Sequence, residues 1–468
     1  MNPTLEFSPE RMREIGYRVV DCLVEHLATL PTQPVGAKAD PAVLIPALQE
    51  PAPEQGAEFE TVLAQLQRDI FPNSMHVNHP RFLAYVPGPG NFIGAMADTL
   101  ISGYNIFAGT WISGSGPAAI ELAVLNWLRD ACGLPESAGG LFVSGGSLAN
   151  LTALAVARHV TLDDRLDGAC VYFSDQAHSS LEKALRLIGI PPAHFRKLPS
   201  DAAWRLPVAE LAARVAEDRA AGLRPFCVIA SAGTTNTGAV DPLVELSRFC
   251  REHNLWFHVD GAYGASSAIS SRGRELLQGL ELADSLSLDP HKWLFQPFEI
   301  GCVLVRDRSH LRETFRILPE YLKDTQLHSA EFNFTDYGPQ LTRSFRALKL
   351  WMSIKVFGMA SFRVAVERGF QLGEFTEARL RSMPGWEIVS PAQMAVVCFR
   401  HSSLDDAAHL RLVQAFLEDG FALITSTVLR GRTVLLTCTI NPRTTEADIE
   451  AALNRLDGLV RRSGSAQY

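Results

Sequence analysis

The sequence predicts an α/β layered domain followed by a smaller α+β domain. Three observations carry this. From about residue 80 to 310, six short apolar runs alternate with helix-like stretches. Residues 344–468 change to a helix-like run followed by strand-like runs and two further helical patterns. At 468 residues, the chain is too long for one compact core.

Residues 9 to 30 place apolar side chains at three- and four-residue steps after Ser8, predicting a capped amphipathic helix. Its stripe must be buried against the main body or a second subunit. Pro31 to Pro53 is rich in proline and predicts an extended connection. The expected strands of the large domain are Gly140–Ser144, Ala169–Phe173, Phe226–Ala230, Leu255–Val259, Ser285–Leu288 and Gly301–Val305. The first five each run straight into polar or small residues, and open α/β sheets collect ligands just beyond the carboxyl ends of their strands. A helix is expected over Ser344–Arg368, then strands over Trp386–Val389, Met394–Phe399 and Thr433–Thr439, with helices near 404–418 and 445–461. The divisions expected are 1–78, 79–343 and 344–468.

Against 51 acidic residues stand 43 basic ones, for a net charge of −8, without long runs of either sign. Nucleic acid and anionic membrane are therefore not expected partners. No segment reaches the ~18 consecutive apolar residues that span a bilayer. The first residues lack the basic start and apolar stretch of a signal peptide. Eight scattered cysteines show no CxxC pair or zinc spacing, so no metal site is expected. Several sit in apolar runs and read as small buried hydrophobes, and a reducing cytoplasm fits them best.

Five motifs carry chemistry. In Ser287-Leu288-Asp289-Pro290-His291-Lys292-Trp293-Leu294, a lysine follows a buried strand beside two large apolar residues. Desolvating an amine makes it a better nucleophile, although a single lysine more often packs its stem and sends its head to water. In His258-Val259-Asp260-Gly261-Ala262-Tyr263, an apolar strand ends in aspartate. A buried carboxylate can keep a pyridine nitrogen protonated, and Ala262 is small enough for a flat ring to lie on it; an isolated aspartate there would commonly cap a helix. Ser144-Gly145-Gly146-Ser147 links a strand to a helix, where free amides and a hydroxyl make a phosphate seat, or where Ser147 simply caps. In Asp175-Gln176-Ala177-His178-Ser179-Ser180-Leu181-Glu182, Ser179 and Glu182 fit a capping box with His178 in front. Ser231-Ala232-Gly233-Thr234-Thr235-Asn236 clusters hydroxyls at a strand end, as an ordinary turn also can.

The order of these motifs resembles the group II pyridoxal-phosphate (PLP) decarboxylases, the family of aromatic-L-amino-acid, histidine and glutamate decarboxylases. The resemblance covers nearly the whole chain, and Asp289–Trp293, Asp175–Ser179 and His258–Tyr263 are its most specific pieces. It implies PLP-dependent transferase fold type I, with a large mixed-sheet domain. It further implies a homodimer whose residues 1–78 pack across the dimer, with PLP held by residues 79–343. Lys292 would bind PLP covalently and Asp260 would pair with the ring nitrogen. Thr235 would hold Asp260, and His178 would stack on the ring opposite Ala262. Gly146, Ser147 and His291 would line the phosphate site. The family often has asparagine where Asp289 stands, which leaves the role of Asp289 open.

Pro319-Glu320-Tyr321-Leu322-Lys323 resembles the mobile catalytic loop of the family's decarboxylases, where a tyrosine returns a proton to Cα. Relatives with phenylalanine there tend to make aldehydes, so Tyr321 favours simple decarboxylation. The polar run Asp324–Gly338 suits a lid. His79–Pro87 resembles the segment that lines the side-chain pocket of aromatic decarboxylases. Tyr85, Val86, Pro87, Phe107 and Trp111 would make an apolar cavity for an aromatic ring, unless they are simply core. The expected reaction is decarboxylation of an aromatic L-amino acid. The rivals are an oxygen-consuming aldehyde synthase, a carbon–carbon lyase, a decarboxylase of another amino acid, and a silent scaffold that would need none of Lys292, Asp260, His178 or Tyr321. Gly114-Ser115-Gly116 lacks the spacing of a serine-hydrolase elbow, and Gly88-Pro89-Gly90 is not a dinucleotide fingerprint.

Overall fold

The computed structural model describes residues 5–317 and 331–465. Apolar runs flanked by turn residues become the strands of the large sheet: β1 (Gly139–Val143), β2 (Ala169–Ser174), β3 (Phe195–Leu198), β4 (Arg224–Ser231), β5 (Trp256–Asp260), β6 (Ser285–Leu288) and β7 (Gly301–Val305). Their order is β1-β7-β6-β5-β4-β2-β3. β7 runs antiparallel to both β1 and β6, while the β6-β5-β4-β2-β3 pairings are parallel. β1 to β6 therefore all end at one edge, and each expected motif begins there. β2, β5, β6 and β7 are buried along their whole length, and the polar side chains they carry, such as His258, Asp260, Ser285 and Ser287, are hydrogen-bonded within the sheet and its covering helix.

The helix Gly146–Leu162 follows β1 and packs across β4, β5, β6 and β7, so its N-terminus lies over the carboxyl ends of the strands. The smaller sheet is antiparallel, ordered β10-β11-β9-β8, from β8 (Trp386–Gln393), β9 (Val396–His401), β10 (Thr425–Leu429) and β11 (Arg432–Cys438). Leu372, Trp386, Phe399, Leu435 and Leu453 form its core together with the helices Asp406–Asp419 and Glu446–Ser465.

Several elements depart from expectation. Two strands, β3 and β10, were not foreseen. The helix expected over Ser344–Arg368 runs from Ala347 to Arg381, interrupted at Gly358, whose φ of 74° takes the chain out of helical geometry. The Pro31–Pro53 connection contains a helix, Pro41–Leu48. Asp40 caps it by accepting from the Ala42 amide at 2.8 Å, and Pro41 occupies the first turn, where a missing N–H costs nothing. The second half of the expected lid is docked. Phe334 is buried, the rings of Phe332 and Tyr337 stack 4.2 Å apart, and the Thr335 amide donates to Gly109. The helix Pro9–Thr29 forms with Ser8 as its cap, yet none of its residues is buried.

Candidate active site

The β5 register places Asp260 opposite Ser231 on one side and Ser287 on the other. The Ser287 hydroxyl donates to Asp260 Oδ1 at 3.1 Å, and the Ala262 amide donates to the same oxygen at 3.2 Å. Asn150, one turn into the helix after Ser147, donates to Oδ2 at 3.1 Å. The expected holder, Thr235, is not among these partners. It lies at the turn beyond β4, too far along the chain to share the strand register that delivers Ser287. Sequence reading missed Asn150 and Ser287. The signals available were a polar residue on the buried face of a helix and a serine opposite the aspartate.

Beyond β6, Lys292 places Nζ 3.0 Å from Asp289 Oδ2. Trp293 and Leu294 next to it are fully buried, as the apolar neighbours suggested, but the amine meets a carboxylate rather than apolar surface alone. Asp289 Oδ2 also lies 3.6 Å from His291 Nε2, while its buried Oδ1 has no hydrogen-bond partner among the described residues. His291 Nδ1 donates to the Ile300 carbonyl at 2.7 Å, which directs Nε2 towards the site. Burial lowers the His291 pKa.

The helix starting at Gly146 has Gly145 as N-cap and no side-chain cap bond, so Ser147 does not cap it. A Cβ on Gly146 would come within 2.8 Å of both Ala262 Cβ and Asp289 Oδ2, so only glycine fits. The expected capping box is also replaced. His178 itself is the N-cap of the helix Ser179–Leu187, its Nδ1 accepting from the Ser180 amide at 3.2 Å, and Glu182 instead pairs with Lys197. Burial lowers the His178 pKa, which keeps the ring neutral at neutral pH.

These residues enclose a cavity of ≈ 260 Å³. Gly146, Ser147, His178, Thr235, Asp260, Ala262, His291 and Lys292 all border it. A buried carboxylate, a lysine amine and an uncapped helix N-terminus with free amides around one such cavity fit a phosphorylated pyridine aldehyde. The unpartnered Asp289 oxygen is the feature that fits an anionic ligand least well.

The apolar five behave differently, and none borders this cavity. Tyr85 is 63% exposed with φ of 55°, and Pro87 is buried. Val86 is half-buried, packed on the core. Phe107 lies against Gly109, and the Trp111 amide donates to Asn333 Oδ1 at 2.8 Å. Tyr321 lies outside the described residues.

Residues 41–402 match the pyridoxal-dependent decarboxylase conserved domain. An aromatic-L-amino-acid decarboxylase of Bacillus atrophaeus is 45% identical over 98% of this chain and 97% of its own length. The crystal structure of Oryza sativa TDC with PLP and tryptamine superposes with a TM-score of 0.92 at 28% identity, covering 98% of this chain and 100% of that one. Rhodiola rosea 4-hydroxyphenylacetaldehyde synthase superposes with a TM-score of 0.90 at 29% identity, over 98% and 99%. With its fold type I architecture and a cradle suited to PLP, the chain belongs to the pyridoxal-dependent decarboxylase family.

Proposed function

We propose that this enzyme decarboxylates an aromatic L-amino acid to its amine and carbon dioxide, using the cradle around Lys292 and Asp260. The observation that carries the chemistry is the opposition of a lysine amine and a buried, triply hydrogen-bonded carboxylate across one cavity. The substrate class rests on the aromatic-L-amino-acid relative and on the apolar run Tyr85–Pro87 with Phe107 and Trp111.

When bound, PLP supplies an electron sink for the pair left on Cα as carbon dioxide departs. Lys292 would hold the cofactor through its amine, with Asp289 beside Nζ. Asp260 would keep a proton at the ring nitrogen. His178 would cover the ring on the side opposite Ala262, while the amides of Gly146 and Ser147 and the His291 ring would hold the phosphate. Thr235 would border the ring. Tyr321 gives its proton to Cα.

Recognition needs a second copy of the chain. The unburied helix Pro9–Thr29 and the exposed Tyr85 support a homodimer in which residues 1–78 cross the interface and complete the side-chain pocket. None of the helices among the described residues is long and apolar enough to cross a membrane. Eight free cysteines, seven of them buried, support a cytoplasmic site of action.

A second reading, aldehyde formation with oxygen consumption, draws on the Rhodiola rosea likeness. An end-point assay with PLP and separate aromatic, histidine and glutamate substrates, measuring amine, aldehyde and hydrogen peroxide, separates the two. Amine without peroxide is expected, and Tyr321→Phe should shift product towards aldehyde. Aldehyde with peroxide from the unaltered enzyme would reject the first reading.

A further inference from the structure

Beneath the cradle, a buried polar chain runs from Trp256 to Asp260 and His178 through residues the reaction described above gives no role. The Trp256 indole donates to Ser285 Oγ at 2.8 Å, and Ser285 Oγ lies 2.9 Å from His258 Nδ1. His258 Nε2 is 3.0 Å from Asn150 Oδ1. Asn150 Nδ2 reaches Asp260 Oδ2 at 3.1 Å and Ser180 Oγ at 3.2 Å. Ser180 Oγ is 2.8 Å from His178 Nδ1. Trp256, Ser285, His258, Asn150, Ser180 and Asp260 are all buried. Strand register builds the chain, because His258 stands opposite Ser285 just as Asp260 stands opposite Ser287, and both pairs face one side of the sheet.

The orientation of the Asn150 amide sets the directions in this chain. An ionised carboxylate only accepts, so Asp260 requires the NH₂ of Asn150 and turns Oδ1 towards His258. His258 must then carry its proton on Nε2. An indole N–H only donates, so Ser285 Oγ accepts from Trp256, while His258 Nδ1 faces both that hydroxyl and, at 3.2 Å, the Ser285 backbone carbonyl. On the second branch, Ser180 accepts from Asn150 and donates to His178 Nδ1, which also accepts the Ser180 amide. The proton of neutral His178 therefore sits on Nε2. Burial keeps His258 neutral as well, against the pull of Asp260.

We infer that Asn150 is a positioning residue that spends its two N–H groups on the two sides of the cofactor. One fixes the carboxylate of Asp260, and the other acts through Ser180 to fix the tautomer of His178. The inference rests on the proposed roles of Asp260 and His178. In this arrangement a single amide coordinates the group at the ring nitrogen with the group over the ring face, and His258 and Ser285 hold that amide from behind. Removing Asn150 disturbs both functions, whereas removing the Ser180 hydroxyl disturbs only the second.

Two-bond ¹H–¹⁵N correlation of histidine-labelled, cofactor-free enzyme reads the tautomers directly, with signals assigned by single histidine variants. Wild type should show neutral Nε2–H rings at both His258 and His178. Asn150→Ala should shift both signals and weaken PLP binding by about 10- to 100-fold, the range spanned by a buried hydrogen bond to a charged group. Asn150→Asp, which sets a second carboxylate against Asp260, should weaken it further. Ser180→Ala should move the His178 signal and weaken PLP binding less than Asn150→Ala does. An Nδ1–H tautomer at either histidine of the wild type would overturn the inference. So would a folded Asn150→Ala enzyme with wild-type signals and affinity. If Asn150→Ala fails to fold, the wild-type tautomers and Ser180→Ala still decide. An enzyme with these tautomers but no amine product would sink the substrate reading and leave the relay standing.

Discussion

The cofactor cradle and the segment expected to meet the substrate side chain are built in opposite ways. Asp260, Ser287, Asn150 and His258 are buried, and each is tied by hydrogen bonds within one chain. Tyr85 is mostly exposed, and the helix Pro9–Thr29 presents a stripe with no buried residue. Chemistry that must hold a proton at a fixed atom needs a dry, preorganised shell. Side-chain recognition can be completed by a second surface. On the proposed homodimer, the difference teaches that one chain would carry the cofactor-holding groups while selectivity would be completed by assembly.

The comparison can be broken most severely from the cradle side. Asp260→Ala should lower turnover by about 10²- to 10⁴-fold, the usual span for a group that controls a proton in the transition state, measured as kcat at saturating PLP. The two regions also share one bolt. Arg343 donates to Glu121 at 2.6 Å and to the carbonyls of Ala108 and Phe142, so a fully buried ion pair joins the Phe107–Trp111 turn to β1. Arg343→Met should cost about 3–5 kcal/mol in denaturant unfolding by stranding the carboxylate. The double change Arg343→Met with Glu121→Leu should recover part of that loss.

Smaller effects belong to the recognition side. Trp111→Ala should raise KM for an aromatic substrate by about tenfold with PLP affinity unchanged, as expected of lost apolar contact. An equal loss of PLP affinity would show that this region belongs to the cradle. The smallest effect is on pH. Burial lowers the pKa of His79 to about 4 and also lowers those of His178 and His291. The unfolded chain therefore takes up protons near pH 6.5 while the native rings stay neutral, and stability falls as pH drops from 6.5 towards 4. Each such group contributes at most about 1.4 kcal/mol per pH unit. Asp241, pushed up to about 6 by burial, opposes this because its native carboxyl is protonated first. Thermal melts of the cofactor-free protein between pH 7 and 5 should show a modest net fall.

The strands that end in the cradle were legible because buried strands read as short runs rich in apolar residues, and a site at their ends needs small or polar residues. The order of the motifs then identified the family and pointed to residues that do border the cavity. What escaped notice shares one physical cause: it depends on neighbours distant in sequence. β3, Phe-Arg-Lys-Leu at the sheet edge, has no strong apolar signal of its own. Asn150 and Ser287 reach Asp260 only through helix packing and strand register, which is why Thr235 stood in their place as the expected holder. His178 caps its helix through a ring nitrogen, which no capping-box pattern anticipates. Asp289, left open by the sequence, turns out to partner the lysine amine.

The central claim is that Lys292 carries PLP across from Asp260. Borohydride reduction of the PLP-loaded enzyme, followed by peptide mass spectrometry, tests it most directly. The pyridoxyl mass should appear on Lys292, and Lys292→Ala should lose both the label and turnover, by about 10⁴-fold or more. A label on another lysine, or full turnover without Lys292, would contradict it.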